Sequence, residues 1–327
     1  GTTTGATFIW EVDDQLGGGF VPVAAGAPYT GENTNTLTID PAASTMDGYS
    51  YRILVEGTCT PGIYSDEVDL TVLEKPEFLS DPTVSTICED ASVIFSVDAG
   101  VTSSPSFIWE VNDGGGWDTI TGAPYLGYTG AQLGILSAPS SMNGDQFRVT
   151  VGGACTPAIT STIATLTVNE KPEVTVHPID VTECEGGSVA FTVNAGVTSG
   201  TLYQWQVDEG SGFTDISGGI YIGEDTDNLN ANPISSDMNS YRYRAVITGT
   251  CTPEAYSNPA TLTVDEQPEI TVEPVDVAIC ENENAIFVVN PGVTTIPTFA
   301  WEYKPGATWD PVPLDAIHSG INNDTLF

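Results

Sequence analysis

Six cysteines carry the most specific spacing in the chain. Cys88, Cys184 and Cys280 form one series and Cys59, Cys155 and Cys251 a second, each stepping by 96 residues. No Cys-x-x-Cys spacing or neighbouring histidine accompanies them, so the pattern reads as disulfide chemistry in an oxidising compartment, with zinc ligation excluded. Acidic side chains are the second candidate. Glu89, Asp90, Asp145, Glu170 and Glu173 are expected to crowd one end of a module, and calcium, which takes about six to eight oxygen ligands, is the ion suited to such a site. No established calcium loop matches their spacing. The two histidines, His177 and His318, stand outside any Ser, His and Asp order, and there is no glycine-rich phosphate loop. The chain is therefore expected not to be an enzyme, and no cofactor beyond that calcium is indicated.

The elements that position these residues repeat with the same period. Trp10, Trp109, Trp205 and Trp301 sit in Phe-Ile-Trp-Glu-Val or close variants, separated by 99, 96 and 96 residues. Pro76, Pro172 and Pro268 recur every 96 residues inside Glu-Lys-Pro-Glu or Glu-Gln-Pro-Glu, each after a Thr-Val strand end. Such a period is the size of a small domain, longer than a solenoid unit. These prolines mark joints, giving domains at 1–75 (the tail of one module), 76–171, 172–267 and 268–327 (the front of a fourth).

Within the 76–171 module, Val93, Phe95 and Val97, then Phe107, Trp109 and Val111, then Phe147, Val149 and Val151 alternate with polar residues, which is the strand period. Glycine-bearing turns such as Asn112-Asp-Gly-Gly-Gly116 separate them, and no segment holds a helical period. The fold class is all-β, with two antiparallel sheets packed as a sandwich in each module. The tryptophans share the phase of their apolar neighbours and are core markers. Trp117, after a glycine-rich turn, is the exposed aromatic best suited to stacking on a ligand. Glu11 and Glu110 are expected to pair across strands with Arg52 and Arg148, and Gln206 with Arg244.

These residues resemble an immunoglobulin-like family. A tryptophan lies on the third strand, and an aromatic follows a corner in Met46-Asp-Gly-Tyr-Ser-Tyr51, Met142-Asn-Gly-Asp-Gln-Phe147 and Met238-Asn-Ser-Tyr-Arg-Tyr243. Together with Ile-Cys-Glu before the second strand and Gly-Thr-Cys-Thr-Pro after the sixth, the pattern is similar to tandem immunoglobulin-like repeats of large secreted surface proteins of Bacteroidota. The resemblance implies head-to-tail sandwiches in an extracellular, cell-surface adhesin or filament, whose partners are neighbouring modules or copies of the same filament. Alternatives are a module that binds a glycan or protein, or an accessory region of a secreted enzyme. Val97 and Val149, with Val193 and Ala245, stand where antibody-type domains carry their cross-sheet cysteines.

Topology then bears on the cysteines. Cys88 is expected to open the second strand at one pole and Cys155 to sit in a turn at the other, roughly 30 Å away at about ten strand residues. A disulfide tolerates about 7 Å between Cα atoms. Cys88 with Cys251 of the next module is the expected pair, leaving Cys59, Cys155, Cys184 and Cys280 to partners outside this stretch. A distorted strand that brings Cys88 to Cys155 is the alternative.

Composition narrows the partners further. Seven basic against 44 acidic residues give a net charge of −37, which repels nucleic acid and anionic membranes. No run approaches the roughly 18 apolar residues of a membrane helix.

Overall fold

The computed structural model describes residues 5–314 and 317–327. The chain divides into two compact units, Gly1–Val168 and Asn169–Phe327. Each holds one complete sandwich and part of another.

In the first unit, Ser106–Asn112 runs antiparallel to Gln146–Gly152 along its whole length, with Trp109 opposite Val149. The sheet continues through Ala164–Asn169 to Ser85–Cys88 on one side and Asp118–Thr119 on the other. A second sheet orders Tyr125–Leu126, Gln132–Ile135 and Val93–Ser96. Unit 2 repeats this plan with Val181–Cys184, Ala260–Asp265, Arg242–Thr248, Leu202–Asp208 and Phe213–Asp215 facing Val189–Thr192, Asn228–Ala231 and Tyr221–Ile222. The strands at 7–69 build one five-stranded sheet and a two-stranded ribbon, and those at 287–326 form two ribbons.

Alternation explains which side chains make the core. Val93, Phe95 and Val97 are buried, while Ile94 between them is 64% exposed. Trp109 and Trp205 are fully buried. Each indole donates its N–H across the sandwich, to Gly130 O at 2.9 Å and to Thr226 O at 2.9 Å, so its polar atom is satisfied inside an apolar cluster. Trp10 and Trp301 make the same bond, to Thr34 O at 3.0 Å and Asn323 O at 2.9 Å, and are half-buried. Aromatic pairs close the space beside the tryptophans, with Phe95 on Phe147 at 4.8 Å and Phe191 on Tyr243 at 4.6 Å between centroids. Val97, Val149, Val193 and Ala245 are all buried, so packing joins the sheets where antibody domains place sulfur.

One expectation changes. Cys88 does not open the second strand. It ends a separate short strand, Ser85–Cys88, at the edge of the larger sheet, and the second strand starts at Val93. Asp90 at φ +62° turns the chain between them, at the place where the next module uses Gly186 at φ +80°. The corner aromatics are inward as expected, but where they carry hydroxyls these meet other tyrosines: Tyr243 with Tyr221 at 3.2 Å, Tyr51 with Tyr29 at 3.1 Å.

Replacing Trp109 by Ala removes both the bulk and the cross-sheet bond of a side chain with no solvent contact. We expect a loss of about 3–5 kcal/mol, read as a lower urea midpoint for the 76–171 sandwich.

Candidate functional site: the joints between modules

The joint segments are built by short-range chemistry that repeats with the period. In the first unit, Glu74-Lys-Pro-Glu77 lies on loop 98–103 of the module it opens. Ser103 Oγ accepts the Glu74 N–H at 2.9 Å and Thr102 Oγ1 accepts the Glu77 N–H at 3.2 Å. Glu77 Oε1 in return accepts the Val101 N–H at 3.0 Å. The second unit has the same set: Glu170 N–H to Ser199 Oγ at 2.9 Å, Glu173 N–H to Thr198 Oγ1 at 3.1 Å, and Val197 N–H to Glu173 Oε1 at 3.1 Å. Glu266 and Glu269 donate likewise to Thr295 and Thr294 at 2.8 and 3.0 Å. Proline supplies a fixed φ between the two anchored residues, and its missing N–H leaves no donor to satisfy there. A Cβ on Gly249 would stand 2.6 Å from Ser199 O and 3.6 Å from the Pro172 ring, so only glycine lets that turn approach the joint.

Both cysteine series converge on this segment. The Cys155 thiol donates to Leu73 O at 3.3 Å, and Cys251 Sγ lies 3.4 Å from Asn169 O. Leu73 and Asn169 each stand three residues before a joint proline. The other series reaches the same position from the preceding strand: Cys184 is the register partner of Asp265, three residues before Pro268. Cys88 and Cys251 are disulfide-bonded, whereas Cys59, Cys155, Cys184 and Cys280 carry free thiols.

The carboxylates expected to hold calcium are dispersed over different tasks. Glu89, half-buried, and Asp90, exposed, belong with Asp145 to the first unit, and Glu170 and Glu173 to the second. Glu173 is engaged with the Val197 N–H, and Ser137 Oγ is 3.5 Å from Asp90 Oδ1. Among the described residues, no three His, Cys, Asp or Glu side chains group as a metal would require. Asp145 is 7% exposed, and its carboxyl is pushed up by burial and then by the Asp113 charge. The equivalent residues in the other modules are Tyr49 and Tyr241.

Trp117 proves to be one member of a periodic stack. The Arg148 guanidinium lies over its ring at 4.0 Å, and the ring is half-buried. Arg52 sits between Phe20 at 4.0 Å and Tyr64 at 4.2 Å, and Arg244 between Phe213 at 4.0 Å and Tyr256 at 4.5 Å. The same arginines hold the expected strand partners: Arg52 Nε to Glu11 at 2.9 Å, Arg148 Nε to Glu110 at 2.8 Å and Arg244 Nε to Gln206 at 2.8 Å. The aromatic position was legible as the residue eight beyond Trp109, Trp205 and Trp301, once any ring rather than tryptophan alone is counted. One face of Trp117 is thus covered by a cation, a contact worth about 0.5–1 kcal/mol at exposed sites.

No family model matches the chain. A stretch of 138 residues, 42% of this chain, is 29% identical to Endoglucanase C of Cellulomonas fimi and spans only 12% of that protein. Among solved structures, the I-band fragment I67–I69 from titin superposes with a TM-score of 0.56 at 14% identity, covering 79% of this chain and 88% of that one. An E-to-A variant of the same titin fragment gives 0.55 at 14% identity, with the same coverage. The fold is that of tandem immunoglobulin-like domains.

Gly249→Ala should cost about 1–3 kcal/mol, because the obstacle it meets is backbone; thermal melts compared with Gly122→Ala, which meets nothing and like Gly249 has no left-handed φ, isolate the close approach. Asp145→Asn should raise stability at neutral pH. Because the folded-state pKa of Asp145 is raised, its penalty is absent below the unfolded value, grows through the folded value and is complete above it. Urea titrations near pH 3 and pH 7 should therefore show no gain at the first and a clear gain at the second.

Proposed function

We propose that this chain is a structural repeat region of an extracellular, cell-surface bacterial adhesin or filament, a rod of immunoglobulin-like modules fastened at their joints. The observation that carries the reading is that the residue three before a joint proline is met by one cysteine series at Leu73 and Asn169 and by the other at Asp265, with Cys88 and Cys251 oxidised. On this reading Cys88 is bonded to Cys251. Their two thiols lose two protons and two electrons to a disulfide-bearing oxidant, itself reduced to two thiols. The remaining cysteines are the halves of equivalent bonds to modules outside this stretch. The anchored proline segments limit bending, and the charge of −37 opposes self-association. The resemblance to surface proteins of Bacteroidota supports the same role, and the partners are neighbouring modules or copies of the filament. No catalytic role is proposed, and a calcium ion at the joints would need ligands beyond those grouped here.

A second reading, an accessory region of a secreted enzyme, is favoured by the similarity to Endoglucanase C. The two readings part on ligand. As a rod, the chain stays in solution when mixed with insoluble cellulose. Retention on cellulose that is lost in Trp117→Ala would replace the rod with the accessory reading. Non-reducing peptide mapping should recover a peptide linking Cys88 to Cys251, and a Cys88 to Cys155 linkage would sink the fastening.

A further inference from the structure

We infer that the joint disulfides turn the array into a covalent rail whose load bypasses the sandwich cores. The inference rests on the reading that Cys88 is bonded to Cys251. Tension entering along Ser85–Cys88 then crosses the sulfurs to Cys251 and leaves along Ala260–Asp265, both of which are strands and already extended. Residues 89–250, with the buried Trp109 and Trp205, hang from this path and bear none of the load.

The strand pairing gives the rail a neighbour. Val181–Cys184 pairs in parallel with Ala260–Asp265, from Val181 with Leu262 to Cys184 with Asp265. The first belongs to the path that ends at Cys184 and the second to the path that begins at Cys251. In unit 1, Ser85–Cys88 neighbours Ala164–Asn169 in its sheet. Two staggered covalent paths thus run side by side, hydrogen-bonded to each other inside each complete sandwich, and in the same direction where Val181–Cys184 meets Ala260–Asp265.

The lengths decide the consequence. From Cys251 to Cys280 is 29 residues, the whole chain a rail needs for every two modules of 96 residues. Fully extended, those residues reach about 100 Å, against roughly 650 Å for the unbridged 192. Two sandwiches of ordinary strand length already span roughly 70–90 Å. In repeats that keep the period, the bridged array is close to its limit before load is applied, so unfolding of a sandwich cannot lengthen it. Reduction converts the same array into a long extensible tether.

Single-molecule stretching of the full 327-residue chain by its two ends tests this, with the linkage of the same preparation mapped beforehand. The oxidised chain should reach a final length shorter than the reduced chain by the bridged 163 residues (251 minus 88), about 540–590 Å. Leu133→Ala, which cuts the buried core of the 76–171 sandwich away from both rail strands, should leave the oxidised trace unchanged and lower the unfolding force only after reduction. A mapped Cys88 to Cys251 linkage together with an oxidised trace weakened by Leu133→Ala overturns the rail but not the pairing. Absence of the linked peptide overturns both.

Discussion

Each complete sandwich depends on one buried indole that touches both sheets and bonds across them. Trp109 and Trp205 fill the centre of their cores, and the N–H of each is answered by a backbone carbonyl on the far side. Apolar area alone is non-directional, and this bond fixes which loop lies over which strand. The strand carrying the tryptophan pairs over seven residues with the strand carrying the corner aromatic, so the indole also sets the register that places Arg148 opposite Glu110 and Arg244 opposite Gln206.

From that register the joints follow. The strand opposite the tryptophan ends in the glycine turn that bears Cys155 or Cys251, and the turn can approach the proline segment only because Gly153 and Gly249 carry no side chain. The loop before the tryptophan strand supplies the serine and threonine that accept the joint's backbone N–H groups. Core and joint are therefore one construction: the same two strands pack the interior at their middles and hold the linker at their ends. A sequence period of 96 residues is the outward sign of that coupling.

The strands, the period, the core phase and the outward Glu–Arg pairs were legible in the residues, because a two-residue alternation states both a strand and its buried face. Three features were not. Ser85–Cys88 reads as a lead-in to the next strand, since four residues with mixed burial carry no alternation of their own and gain their place only by pairing at a sheet edge. Trp117 reads as isolated when tryptophans of the complete modules alone are compared, yet Phe20 and Phe213 serve the same arginine stack. The acidic residues near the joints read as a common pool of charge, whereas Glu77 and Glu173 are bound to backbone N–H groups and Asp145 is buried in a corner that other modules fill with tyrosine. In each case the deciding contact lies between residues distant in sequence and weak in pattern.

The central claim is that fastening between modules, beyond the folding of each, is what the repeat is built for. Thermal unfolding with and without reductant tests it most directly. The oxidised chain should lose a large part of its stability on reduction, on the order of 5 kcal/mol from a loop of 163 residues (251 minus 88), while a Cys88→Ser chain melts identically in both conditions. Equal melting of the unaltered chain with and without reductant would contradict the account.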